Sequence, residues 1–167
     1  RRDPENSEWL PATEVKGEGI FICLNSTLLD NWLSSKQQAS VRAEQLRNNY
    51  VSNLKKFDPN VEETDHDYIN AKYILLHTLS HLLIEEIAQT SGYNSASLSE
   101  IIYSSKTDSD YKMSGILIYT SSTDAEGTLG GLAEHGKPGK LEMLFNRALQ
   151  KAQWCSSDPL CIETKTG

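Results

Sequence analysis

Positive charge is in short supply in this sequence. Sixteen Lys and Arg stand against 23 Asp and Glu, a formal net charge of −7 over 167 residues. A domain that wraps duplex DNA by itself concentrates Lys and Arg against the phosphates. That role is excluded for this chain alone. Splitting the chain does not restore it, since residues 1–70 hold 8 basic and 12 acidic residues and residues 71–167 hold 8 and 11. Long apolar runs are also missing. Nothing approaches the ~18 consecutive apolar residues of a membrane span, and no basic stretch followed by an apolar one opens the chain as a secretory leader does. No membrane partner and a cytoplasmic location are therefore expected. Methionine is missing from the first position, where Arg1 stands. This points to a chain processed or cut from something longer. Cysteine is scarce, with three residues, too few for the four ligands of a structural zinc. No G-x-S-x-G occurs, so a serine-nucleophile elbow is excluded.

What is present reads as a mixed α/β domain. Ile20-Phe21-Ile22-Cys23-Leu24 is a dense apolar run bounded by Gly19 and Asn25, which predicts a buried strand. Residues 26–57 read as helical. Leu28, Leu29, Trp32 and Leu33 mark a first stretch; Val41, Ala43, Leu46, Tyr50, Leu54 and Phe57 share one face of a second. Asp58-Pro59-Asn60 stops it. The acidic residues of 58–67 read as a solvated loop or a cation or partner site. Residues 68–91 are apolar nearly all round, which predicts a central buried helix, with Gly92 as its C′ residue. Ser97 and Glu100 stand in capping-box register, predicting a further helix through Leu98, Ile101, Ile102 and Tyr103. Ile116-Leu117-Ile118-Tyr119-Thr120 predicts a strand covered on both faces. Lys140–Trp154 is amphipathic. The expected architecture is a small mixed sheet covered by helices, helix-rich. Residues 1–19 form a polar lead-in, 20–154 the domain, and 155–167 a cysteine-bearing segment.

Three groups of residues carry chemistry. His77 and His81 lie at i and i+4 on the central helix, so both imidazoles face one way and can meet one metal. Glu85 continues that face. Zinc proteases place a glutamate directly after the first histidine as general base; here Thr78 stands there, and that chemistry loses its base. Structural hydrogen bonding and partner contact remain open beside metal binding. The second group follows the strand at 116–120 and ends in Gly127-Thr128-Leu129-Gly130-Gly131. A Walker loop needs a lysine and a hydroxyl after its last glycine. Leu132 and Ala133 occupy those positions, and Asp124 and Glu126 repel phosphate. A nucleotide site is excluded. The glycines then serve tight turns and Asp124 a helix cap, or Asp124 and Glu126 form a functional acidic site. The third group is Cys155 and Cys161, spaced wider than a usual C-x₂₋₄-C half-site. A disulfide between them is disfavoured in a cytoplasmic chain. Cys23 reads as a small core hydrophobe.

The run Leu76-His77-Thr78-Leu79-Ser80-His81-Leu82-Leu83-Ile84 begins a longer pattern. It continues through Ser91-Gly92-Tyr93-Asn94-Ser95-Ala96-Ser97-Leu98-Ser99-Glu100-Ile101-Ile102-Tyr103 and Gly115-Ile116-Leu117-Ile118-Tyr119-Thr120. Asp124-Ala125-Glu126-Gly127-Thr128-Leu129-Gly130-Gly131 and Trp154-Cys155-Ser156-Ser157-Asp158-Pro159-Leu160-Cys161 complete it. The whole resembles the MZB domain that accompanies superfamily-2 DNA helicases. The resemblance is nearer to the DrmB type of the DISARM anti-phage system than to the Mrf-type repair helicases. It spans Leu10 to Cys161.

The resemblance implies a non-catalytic accessory domain. Such a domain docks on a superfamily-2 helicase subunit or domain and helps the complex engage DNA in anti-phage defence or repair. It also implies a four-cysteine zinc cluster, with Cys155 and Cys161 as its first pair and the second pair downstream in a longer parent. It assigns no role to His77, His81, Asp124 or Glu126. The alternatives from the residues themselves are a metal-dependent hydrolase using His77, His81 and Asp124, or a purely structural fragment.

Overall fold

In the computed structural model, which describes residues 17–105, 111–121 and 131–153, three strands form one sheet. They are β1 (Gly19–Cys23), β2 (Leu98–Ser104) and β3 (Ser114–Thr120), in the order β1-β3-β2. Both pairings are antiparallel, where a mixed sheet was expected. Five helices accompany the sheet: α1 (Ser26–Ser35), α2 (Gln37–Lys55), α3 (Ala71–Ser91), α4 (Gly131–His135) and α5 (Lys140–Ala152).

The central helix forms as its sequence predicts. The Asn70 side chain accepts from the Tyr73 amide at 3.0 Å and starts α3, supplying one of the acceptors that a helix N-terminus lacks. Gly92 ends it with φ 73°, a left-handed conformation that glycine adopts without a Cβ penalty. Leu76, Leu83, Ile84 and Ile87 of α3 pack on Ile20, Ile22, Ile116 and Ile118 of the sheet, with Leu132, Leu144 and Ala148 from α4 and α5. Each large apolar side chain fully buried here contributes about 1.5–3 kcal/mol.

Period-two alternation decides which side chains enter this core. In register, Ile20 faces Ile118 and Ile102 faces Ile116, and these point toward α3. Phe21, Leu117 and Ile101 also align across the three strands, and they point the other way. Among the described residues the helices lie on one face; on β3, expected to be covered on both faces, the outward Leu117 and Tyr119 are half-buried. Phe21 is 59% exposed, Ile101 42% and Tyr103 36%. Cys23 shares this outward face and is exposed, not a core residue.

The predicted helix at 98–103 is instead strand β2. Leu98, Glu100 and Ile102 alternate toward the core, and the β-branched pair Ile101-Ile102 suits a pleated surface. Ser97 does not cap a helix: its hydroxyl donates to the Asn94 carbonyl at 2.7 Å, closing a short 3₁₀ turn at Ser95–Ser97. The helical stretch 26–57 breaks at Lys36 into α1 and α2. On α2 the buried residues are Ala43 and Val51, while Val41, Tyr50 and Phe57 of the expected face are exposed. The acidic 58–67 segment is clasped by α2. Lys55 donates to Glu63 at 2.8 Å and Arg47 pairs with Asp67 at 3.3 Å. The Lys55 ammonium lowers the Glu63 pKa from its ordinary value.

Candidate functional site

The i, i+4 spacing puts His77 and His81 one turn apart on α3, with ring centroids 4.5 Å from each other. Ser80, between them in sequence, turns inward and is fully buried. Opposite them, β2 presents Glu100 on its core-facing register, paired with Ile118 of β3. Helix and strand therefore bring three donors to one place. His77 Nδ1 lies 2.5 Å from Glu100 Oε1, and His81 Nε2 lies 3.5 Å from the same oxygen. All three ligand atoms fall within 4.8 Å of one another.

A carboxylate on the core side of a sheet is costly unless hydrogen-bonded. Glu100 has polar neighbours at both oxygens. One faces His77 and His81; the other accepts from the Ser80 hydroxyl. Tyr73 stacks on the His77 ring at 5.9 Å with planes 12° apart, which fixes the imidazole's orientation. Burial raises the Tyr73 pKa, helped by Tyr68 and by Glu100. The ring row continues outward through Tyr68, His66 and Tyr50. Glu85, which continues the histidine face in sequence, instead accepts from Gln89 at 3.1 Å and takes no part in the group. A cavity of about 460 Å³ borders the two histidines and is also lined by Glu85 and Ser95.

The glycine-rich segment leads to a different arrangement. The amides of Leu132 and Ala133, at the start of α4, donate to the carboxylate of Glu18 at 3.0 and 3.1 Å. The Tyr93 hydroxyl donates to the same carboxylate at 2.7 Å. A carboxylate of the chain itself thus satisfies the amides that a helix N-terminus leaves open. Nothing in the spacing around Glu18 signals this role, because the amides it caps lie more than a hundred residues away.

Two other buried charged groups have partners. Glu86 of α3 pairs with Lys151 of α5, whose ammonium also donates to Gln89 at 2.5 Å. Lys72 reaches the Ser105 carbonyl at 3.4 Å; burial pushes its pKa down, and nearby Asp30 pulls it back up. Asp124, Glu126, Cys155 and Cys161 lie outside the described residues. Of the site residues read from the sequence, His77 and His81 come together, and the third member is Glu100. Glu100 escaped sequence reasoning because the capping-box spacing assigned its carboxylate to a helix start.

A family model described as MrfA Zn-binding domain (MZB) matches residues 79–165. The chain is also 42% identical over 153 residues to DISARM protein DrmB of Bacillus paralicheniformis. That alignment covers 92% of this chain and 26% of the relative, so the chain spans about a quarter of the length of the curated protein it matches. His81 and Glu100 fall inside the stretch the family model matches, and His77 just before it. The family description implies zinc, and two imidazoles with one carboxylate form a donor set that zinc accepts. Three protein ligands differ from the closed four-ligand set of a structural zinc.

Proposed function

This chain belongs to the MrfA Zn-binding domain (MZB) family, and from that premise we propose that it is a non-catalytic accessory module of an anti-phage defence complex. It docks on a superfamily-2 helicase subunit and helps that subunit engage DNA. The observation that carries this reading is the 42% identity to DISARM protein DrmB over nearly the whole chain. The charge of −7 supports docking on protein over direct grip on phosphate. The exposed side chains Phe21, Ile101 and Tyr103 on one sheet face supply the apolar surface that protein contacts use. Cys155 and Cys161 serve as half of a four-cysteine zinc cluster completed elsewhere in the longer protein, as the family resemblance implies.

The test is complex formation between the purified chain and the superfamily-2 helicase subunit of the same defence system, read by analytical size exclusion and titration calorimetry. A stable complex is expected, weakened at least tenfold (~1.4 kcal/mol) by the paired change Ile101→Ser and Tyr103→Ser. Failure to bind the helicase at micromolar concentrations overturns the reading. So does hydrolytic turnover by the chain that is abolished in His77→Ala.

A further inference from the structure

We propose that His77, His81 and Glu100 form a zinc site that is separate from the cysteines and joins α3 to β2. The donors come from two elements and converge without help from any residue outside the described chain. Ligands on a tetrahedral zinc, each about 2.0–2.1 Å from the ion, stand roughly 3.3 Å apart. The His81–Glu100 separation of 3.5 Å already matches that spacing. The His77–Glu100 separation of 2.5 Å is shorter, and it must open by about 0.8 Å to reach the same spacing. Rotation of the His77 side chain, 44% accessible, opens that gap at little cost in packing.

The surroundings match those of a built metal site. A ligating carboxylate is held by a second hydrogen bond, and that outer partner tunes affinity. Ser80, fully buried, supplies this bond to Glu100. Tyr73 plays the orienting part for His77 through its stacked ring. Imidazole and carboxylate together suit zinc better than magnesium or calcium, which prefer all-oxygen shells. The adjoining cavity leaves room for a water or a donor from a docked partner as fourth ligand. Zinc here would fix the angle between the central helix and the sheet, independently of any cysteine cluster.

The test uses the full chain with Cys23→Ser, Cys155→Ser and Cys161→Ser combined, stripped of metal with a chelator. It is titrated with Zn²⁺ and with Co²⁺. The expected result is one zinc per chain after desalting, a zinc-dependent rise in Tm, and a tetrahedral Co²⁺ absorption band. His81→Ala should lower zinc affinity by more than tenfold while the metal-free Tm stays unchanged. Ser80→Ala should lower it about tenfold, as loss of an outer-shell partner does. A folded serine variant that retains no zinc overturns the proposal, and so does zinc retention unchanged by His81→Ala. If the serine variant does not fold, the wild-type chain is titrated with Zn²⁺ and its imidazole resonances followed. Shifts at His77 and His81 at one equivalent support the site; zinc uptake that leaves both unmoved overturns it. None of these readouts depends on a helicase, so the proposal and the docking reading fail separately.

Discussion

The two faces of the sheet are made by the same three strands and behave as different materials. The inner face carries Ile20, Ile22, Ile116 and Ile118, all buried against α3. The outer face carries Phe21, Ile101 and Tyr103, all exposed. Isoleucine occurs on both, so its presence alone does not separate them. Position does: a one-residue step along a strand moves a side chain from core to solvent. The inner face therefore holds stability, and it admits one carboxylate, Glu100, only with partners for both oxygens. The outer face leaves large apolar side chains exposed among the described residues.

The sharpest test of this contrast applies one change to both faces. Ile118→Ala should cost about 2–5 kcal/mol in urea unfolding, the range for emptying a core position. Ile101→Ala should cost under about 1 kcal/mol, as expected for a surface change. Equal costs would break the comparison. Next in size is Glu100→Ala, which removes the carboxylate that faces the Ser80 hydroxyl, His77 and His81. A loss of about 1–3 kcal/mol is expected, read as a lowered Tm in metal-free buffer. Glu18→Ala removes the acceptor of the Leu132 and Ala133 amides and should cost about 0.5–2 kcal/mol, as loss of a helix cap does. Amide exchange at Leu132 and Ala133 should quicken in that variant before exchange in α3 changes.

On the outer face, a Cβ at Gly115 would lie 2.8 Å from Phe21 Cζ. Gly115 is what lets the Phe21 and Tyr103 rings meet edge to face at 5.5 Å across β3. Gly115→Ala should separate the rings, changing near-UV circular dichroism for a cost of about 0.5–1.5 kcal/mol. The smallest effect concerns neither face. Lys137 and Lys140 hold the Glu134 carboxyl at about 2, below its ordinary 4.5. A depressed carboxyl pKa adds stability above the ordinary value and loses it as pH falls through the folded one. Glu134→Gln should therefore shift Tm slightly at neutral pH, with the difference from wild type gone near pH 2.

Much of this was legible in the residues. Dense apolar runs found β1 and β3, and an all-round apolar helix found α3 with its Gly92 stop. What escaped was β2, because Ser97 and Glu100 imitate a capping box while Leu98, Glu100 and Ile102 alternate at a spacing of two. Local spacing favoured the helix; pairing with β3 decided for the strand, and such pairing is invisible in sequence. The same error hid the candidate site's third member. His77 and His81 were legible from their spacing, since helix geometry is local. Glu100 joined them only through the packing of α3 on β2, and Glu18 found its amides only through the closing of the whole chain.

That closing has a consequence for the order in which the molecule assembles. β2 and β3 meet at Ser105 and Met113, 8 residues apart in the chain. Glu18 meets Thr120 across 102 residues and Leu132 across 114. Loop-closure entropy rises with separation, and contacts between distant residues form slowly. By that separation the β2–β3 pair with α3 is expected to form first and β1 with its Glu18 clasp last. Amide exchange should then open β1 before α3, the strand acting as the door and the helix as the wall behind it.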